Sequence, residues 1–219
     1  ETDIRVTSDG KLVLFHDNSL DRCTNATGSI EEKTMKEVAA IRTKAGRPLC
    51  TLQEFVDFFK NKHNDDLYIE FEIKTNEKLY TQEKIEEICD KIYKMVTANK
   101  PEGAVYLFTS GDYRALRYLQ QKYKTTDMLL ITSKPVNDET IALCKAMGIT
   151  RLGAKMEGTS RAAVKKAKEA GLTVSLWPGL CVEDLMLGAY LGAEYMCTDR
   201  PIEYMKFCKE KAPWLKVRY

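Results

Sequence analysis

The chain has 219 residues, of which 44% are hydrophobic and 30% charged, a composition typical of one soluble globular domain with a sizeable core. Its 34 basic and 32 acidic residues leave a formal net charge of +2, which gives no general attraction to nucleic acid or membrane surfaces. No apolar run approaches the length of a membrane-spanning helix. Seven cysteines lack a zinc-like spacing, and their odd number favours a reducing compartment. We therefore predict a cytoplasmic protein, unless a segment preceding Glu1 carries a secretion signal.

Two acidic residues, Glu1 and Asp3, begin the chain. In an extended strand, side chains two residues apart point to the same face. A turn at Asp9-Gly10 then leads into a short apolar strand over 12–15, which places His16 at its end. Taken singly, an acidic pair of this kind is usually a solvated strand face, and such a histidine is usually structural. Taken together, they have the chemistry to hold a hard divalent cation and to move a proton beside it.

A polar, turn-rich segment follows over 18–47, and we interpret it as a loop insertion that contains one short helix over 34–41. Next, 51–54 reads Thr-Leu-Gln-Glu, a capping-box pattern that predicts the start of a helix. The helical spacing of the apolar residues that follow predicts that this helix ends near Lys62. His63 lies in a charged run, and we predict that it is a solvated surface residue.

A second acidic stretch lies within the apolar segment 67–74. Here Glu70, Glu72 and Lys74 share one face of a predicted strand. Buried charges are costly unless they are paired or bound to metal, so the two acidic stretches together make a better site candidate than either alone. One interpretation of Lys74 is that it forms a salt bridge with Glu70 or Glu72.

Strand and helix patterns alternate from residue 67 to the end of the chain. The predicted strands cover 67–73, 104–108, 128–131, 150–152, 173–176 and 194–197, and the predicted helices cover 81–98, 112–122, 137–147, 160–170, 182–191 and a last segment from Pro201. This alternation predicts a parallel sheet covered by helices. Because there is no glycine-rich dinucleotide fingerprint, we favour a (β/α) barrel in a single domain over 1–219. The active site of such a barrel lies at the carboxyl ends of its strands.

Several of these motifs share their order and spacing with a known family. They are Glu1-x-Asp3, Thr7-x-Asp9-Gly10, His16-Asp17, Thr51-Leu-Gln-Glu54, Glu72-Ile-Lys74 and Thr198-Asp-Arg-Pro201. In this combination the chain resembles the glycerophosphodiester phosphodiesterases from end to end. The resemblance implies an α/β fold, a (β/α)8 barrel of the TIM type and of the phospholipase-C-like phosphodiesterase kind. It also implies that the first strand–helix unit, which carries a His-Arg-Gly motif in the family, is missing.

The resemblance further assigns roles to residues of this chain. It implies that Glu1, Asp3 and Glu72 are divalent-metal ligands, and that His16 is one of two catalytic histidines. Three carboxylates without thiolate or imidazole suit Mg²⁺ or Ca²⁺ better than zinc. At the end of a late predicted strand, Trp177 resembles the aromatic wall beside the glycerol moiety, or else it is a core or rim aromatic.

The activity that the resemblance implies is metal-dependent hydrolysis of a small-molecule glycerophosphodiester to sn-glycerol 3-phosphate and an alcohol. Lys74 would then contact the substrate phosphate. Because the family mechanism uses two histidines, we expect impaired activity in this chain. Two alternatives stay open: a non-catalytic barrel that binds a phosphodiester or a metal, and a barrel with another acid–base or lyase reaction. A missing unit would leave strand edges uncovered, so we also expect a partner subunit that fills the gap, or poor solubility.

Overall fold

The computed structural model describes residues 1–60, 67–76, 78–98 and 100–216. The chain divides into two compact units, Glu1–Asp127 and Met128–Tyr219. Within the described ranges, it forms eight strands and eight α-helices. The predicted end of a helix near Lys62 and the predicted surface position of His63 lie outside the described residues.

The first unit combines a hairpin with parallel strands. Its elements are β1 (Thr2–Val6), β2 (Leu12–Leu14), α1 (Met35–Val38), α2 (Leu52–Phe59), β3 (Tyr68–Ile73), α3 (Gln82–Ala98), β4 (Val105–Ser110) and α4 (Tyr113–Tyr123). The strand order is β2-β1-β3-β4. β1 and β2 are antiparallel, whereas β1 pairs with β3, and β3 with β4, in parallel.

Local sequence signals explain where these elements begin. The predicted capping box of α2 is confirmed, because the Thr51 side chain accepts a hydrogen bond from the Glu54 N–H and the Glu54 carboxylate accepts one from the Thr51 N–H at 2.8 Å. Strand β3 alternates half-buried and buried residues, so Phe71 and Ile73 pack in the core while Glu70 and Glu72 face the other way.

The 18–47 insertion has a small hydrophobic core of its own. This cluster consists of Val13, Phe15, Leu20, Ile30, Val38 and Ile41. The predicted helix over 34–41 is shorter than expected and ends at Val38. The Ala40 and Ile41 N–H groups bond to carbonyls three residues back, a tighter spacing than the α-helix uses. The apolar pattern therefore reaches Ile41 although the helix does not.

The second unit is an all-parallel strand–helix repeat. Its elements are β5 (Met128–Pro135), α5 (Asp138–Met147), β6 (Arg151–Lys155), α6 (Arg161–Glu169), β7 (Thr173–Gly179), α7 (Val182–Leu191), β8 (Tyr195–Thr198) and α8 (Pro201–Glu210). The strands pair in the order β5-β6-β7-β8. The predicted alternation of strand and helix is thus confirmed.

Strand β5 differs most from its predicted range, since it continues past Ile131 to Pro135. A register irregularity lies between these two residues, and Pro135 still pairs with Lys155 of β6. The added residues are half-buried or exposed, so hydrophobicity did not reveal them. None of the helices in the described part of the chain combines the length and apolarity that crossing a bilayer requires.

Candidate functional site

Polar side chains form a row across three neighbouring strands of the first unit. Asp3 of β1 is the register partner of Glu72 of β3, and Glu72 is the partner of Thr109 of β4. Register partners point to the same face of a sheet, and Glu1 lies on that face two residues before Asp3. One carboxylate oxygen from each of the three acids lies within 4.8 Å of the other two. The structure therefore brings Glu1, Asp3 and Glu72 together.

This arrangement crowds negative charge. Burial of the carboxyl group, followed by repulsion from Asp3 and Glu72, raises the pKa of Glu1 to about 7, although the residue as a whole is partly open to solvent. The Asp3 Oδ1 atom is buried and accepts no hydrogen bond from the described residues. The Lys74 ammonium group, 3.1 Å away, supplies its counter-charge. The cluster thus has more negative charge and more acceptor capacity than the surrounding protein satisfies.

Lys74 is the positive group of the cluster. Its Nζ atom lies 2.7 Å from Glu72 Oε1 and 3.1 Å from Asp3 Oδ1, a charge contact that does not have hydrogen-bond geometry. Burial alone would lower the pKa of Lys74, but the charge and hydrogen bond of Glu72, together with the charge of Asp3, outweigh it and raise this pKa. Lys74 therefore stays protonated. The structure shows the ion pair of Lys74 with Glu72. Direct contact between Lys74 and a phosphate stays a prediction.

A cavity of about 370 Å³ opens beside these acids, and its lining includes Glu1, Asp3 and His16. His16 follows the antiparallel strand β2, which returns the chain alongside β1. The Phe15 N–H donates to the Asp3 carbonyl at 3.0 Å. The hairpin therefore explains why a histidine thirteen positions further along the sequence shares a cavity with Asp3.

Asp17 orients the His16 ring. The His16 Nδ1 atom lies 2.7 Å from Asp17 Oδ1, and the Arg22 Nε and Nη2 atoms donate to the same carboxylate at 2.6 and 2.8 Å. Hydrogen bonds from Arg22, and then from His16, hold the pKa of Asp17 well below its usual range. Because Asp17 is ionised, it accepts a hydrogen bond from a proton-bearing Nδ1, which leaves Nε2 as the ring nitrogen for another partner. The side chain of His16 is 67% exposed, so that nitrogen is open to a ligand.

Trp177 belongs to the second unit, near the end of β7. Its carbonyl accepts a hydrogen bond from the Met156 N–H at 2.8 Å. Its indole Nε1 is buried and has no partner among the described residues. Its role in substrate binding stays a prediction.

Two buried polar residues of the first unit were not singled out from the sequence. Arg5 lies on β1 two residues after Asp3, and its side chain bonds to the His16 carbonyl. Thr109 is fully buried, and its hydroxyl has no hydrogen-bond partner within the described residues. The period of two along β1 could have revealed Arg5. Thr109 required the register between β3 and β4, which a single sequence does not specify.

The donor set fits a hard divalent cation. All three grouped ligand atoms are carboxylate oxygens, the type that Mg²⁺ and Ca²⁺ prefer. A cation there would neutralise the mutual repulsion that raises the pKa of Glu1. It would also give the buried Asp3 Oδ1 a second positive partner beside Lys74.

Comparison with known proteins gives an independent line of information. The model of the glycerophosphoryl diester phosphodiesterase family matches residues 1–203. A glycerophosphodiester phosphodiesterase of Arabidopsis thaliana is 25% identical over 91% of this chain and 64% of its own length. One of Caldanaerobacter subterraneus is 32% identical over 36% of this chain and 35% of its own. The chain thus spans less than two thirds of these curated relatives.

Solved structures resemble this chain over almost its whole length. A phosphodiesterase of Oleispira antarctica, crystallised with the product sn-glycerol-3-phosphate, superposes with a TM-score of 0.84 over 95% of this chain and 84% of its own, at 18% identity. At this identity the likeness establishes the fold. It confirms the predicted fold class, an α/β chain of the (β/α)-barrel type.

Proposed function

Because this chain belongs to the glycerophosphoryl diester phosphodiesterase family, as its match over residues 1–203 establishes, we propose that it hydrolyses glycerophosphodiesters to sn-glycerol 3-phosphate and an alcohol. The observation that carries the proposal is the cluster of three carboxylates, within 4.8 Å of one another, beside a cavity that His16 also lines. The product bound to the Oleispira antarctica phosphodiesterase supports the choice of substrate class.

The residues that would hold a divalent cation, Mg²⁺ or Ca²⁺, are Glu1, Asp3 and Glu72. When bound, such a cation neutralises phosphate charge and orients the phosphoryl oxygens. The ammonium group of Lys74 adds a fixed positive charge 2.7 Å from Glu72. Its proposed role is to attract the phosphate of the substrate towards the acids.

His16 supplies the proton transfer. With Nδ1 held by Asp17 at 2.7 Å, Nε2 takes a proton from a water molecule as the water oxygen attacks phosphorus. The phosphorus–oxygen bond to the alcohol then breaks, the departing alkoxide takes a proton from solvent, and the His16 imidazolium returns its proton to solvent. Asp17 stabilises the imidazolium that forms, because its own low pKa keeps it ionised. Trp177 is the proposed aromatic contact for the glycerol moiety.

The test is release of sn-glycerol 3-phosphate from glycerophosphocholine by the full-length gene product, with Mg²⁺ or Ca²⁺ and with a chelator. We expect turnover that depends on the cation. We expect His16→Ala to lower the rate by about 10²- to 10⁴-fold, the usual contribution of one general acid or base. The matched control is His63→Ala, which removes the other histidine of the chain and should leave the rate unchanged.

Other outcomes would decide between the alternatives. Substrate binding without product would favour a non-catalytic barrel. A different product would favour another acid–base or lyase reaction. Reduced turnover, a cytoplasmic location and a partner subunit stay predictions, and size measurement of the purified protein tests the last of these.

A further inference from the structure

We propose that Arg5 is a positioning residue, whose guanidinium group fixes the backbone that carries His16 and Asp17. The kinetic part of this proposal rests on the proposed function. The structural part rests only on contacts within the first unit, so the two can fail separately.

The Arg5 side chain joins three segments that are distant in sequence. Its Nη2 atom donates to the His16 carbonyl at 2.8 Å and to Asn18 Oδ1 at 2.7 Å. Its Nη1 atom donates to Glu31 Oε1 at 2.8 Å. One planar group therefore ties β1 to the end of the hairpin and to the turn at Ile30–Glu32. Only the fork of an arginine makes such contacts from fixed positions.

The Arg5–Glu31 pair is buried, with side chains 3% and 2% exposed. Burying an ion pair seldom gives net stability, because the desolvation of both charges offsets their attraction. This pair is also incompletely satisfied, since Arg5 Nε and Glu31 Oε2 are buried without hydrogen-bond partners among the described residues. Fold stability alone is therefore a poor explanation. The Tyr80 hydroxyl donates to Glu31 Oε1 at 3.4 Å, and the remaining bonds of Arg5 lead to the His16 carbonyl and to Asn18.

The His16 ring depends on this anchor as well as on Asp17, because packing holds the ring only weakly. Two thirds of the side chain is exposed, so packing leaves it free to move. Its ring contact is with Asp17, the next residue of the same backbone. If this backbone shifts, the ring and the carboxylate that orients it shift together relative to Glu1 and Asp3. A displacement of about 1 Å at a reacting group lowers a rate on the order of 10²-fold.

The kinetic experiment compares Arg5→Lys in two backgrounds. In the natural background, we expect kcat to fall about tenfold to a hundredfold, with KM and cation affinity nearly unchanged. In a His16→Ala background, the same substitution should have almost no further effect on kcat. A residue that acts only by positioning His16 has nothing left to position once that side chain is removed. An equal loss in both backgrounds, or a parallel loss of cation affinity, would overturn the proposal.

Arg42→Lys is the matched control. The Arg42 Nη1 atom also donates to two backbone carbonyls of the insertion, those of Ala39 and Ile41, at 2.7 and 2.8 Å. Neither of these bonds involves His16, so the change should leave kcat as it is. If kcat fell as far in Arg42→Lys as in Arg5→Lys, loosening the insertion anywhere would be sufficient to lower kcat. That result would overturn the specific role of Arg5.

A second readout does not need turnover. The chain has two histidines, so the ring signals of His16 can be assigned by NMR with a His63→Gln variant. In Arg5→Lys we expect the His16 signals to broaden or split while those of His63 stay sharp. Asn18→Ala is a milder variant, which removes one acceptor of Nη2 and should shift the same signals. Unchanged His16 signals in both variants would overturn the proposal, even if the full-length protein proves inactive.

Discussion

Two acidic sites in the first unit differ in how the protein satisfies their charge. One is the single carboxylate of Asp90, and the other is the group of three site acids. On the surface of α3, Asp90 accepts hydrogen bonds from the Tyr118 hydroxyl at 2.9 Å, from the Tyr123 hydroxyl at 2.8 Å and from Lys122 Nζ at 2.6 Å. Desolvation acts to raise the pKa of Asp90, but these donors outweigh it, and this pKa is lowered. Donors from the protein itself therefore satisfy this carboxylate.

The site acids show the opposite pattern. Asp3 and Glu72 share the ammonium group of Lys74, the pKa of Glu1 is raised to about 7, and Asp3 Oδ1 has no hydrogen-bond partner within the described residues. A carboxylate whose donors come from its own fold is structural. Carboxylates gathered without such donors have acceptor capacity for a ligand, and this difference separates the candidate site from an ordinary surface cluster.

The largest expected effect tests this difference directly. Glu72→Gln keeps the size of the side chain but removes its charge, so we expect affinity for Mg²⁺ or Ca²⁺ to fall on the order of a hundredfold. Titration calorimetry measures it. Asp90→Asn makes the same kind of change in the satisfied cluster and should leave cation affinity unaltered. If both variants lost affinity equally, the two clusters would not differ as described.

The next effect is a pH dependence of cation binding. A proton on Glu1 competes with the cation, so apparent affinity should rise with pH up to about 7, the pKa of Glu1, and then level off. Below pH 7, each unit by which the pH falls should lower the apparent cation affinity by up to about tenfold. Glu1→Gln should bind more weakly but without this slope. Without a cation, stability should fall as pH rises from the ordinary glutamate range towards 7, because the folded state holds the proton more tightly.

Asp90→Asn should have a smaller effect, confined to stability. We expect the free energy of unfolding to fall by about 1 kcal/mol, measured by urea denaturation at neutral pH. Because the pKa of Asp90 is lowered, its contribution is present above the ordinary aspartate pKa and is lost as pH falls through the folded value. The difference between the variant and the natural protein should therefore disappear in acid. A difference that persists there would mean that charge is not its source.

The smallest effect concerns Thr109, whose buried hydroxyl has no partner among the described residues. Thr109→Val keeps the shape and removes this hydroxyl, so the cation-free protein should gain up to about 1 kcal/mol of unfolding free energy. Thr140 is a matched control, since its hydroxyl is buried but donates to the Asn137 carbonyl at 3.0 Å. Thr140→Val should lose stability. A loss in both variants would indicate that the Thr109 hydroxyl is satisfied after all.

The sequence was sufficient to predict those features that follow from the regular alternation of side chains along a strand. The period of two placed Glu1 with Asp3 and Glu72 with Lys74, and apolar strands located β3 and β7. Arg5 follows the same period of two, but its partner Glu31 lies 26 residues away, in a part of the insertion that has no periodic pattern. A contact of this kind leaves no trace in local sequence. The polar extension of β5 was missed for a related reason, because it depends on pairing across a register shift.

The hairpin of β1 and β2 has one more consequence. Asp3 and the residue before His16 are joined by a hydrogen bond of 3.0 Å between the two strands of the hairpin, so a proposed cation ligand and the proposed proton carrier belong to one short hairpin. If the hairpin tilts as a whole, the spacing between Asp3 and His16 is kept. The insertion supplies Arg22, Cys23 and Thr43 to the rim of the same cavity. Under the proposed function, substitutions at these rim positions would change which alcohol fits while that spacing stays the same.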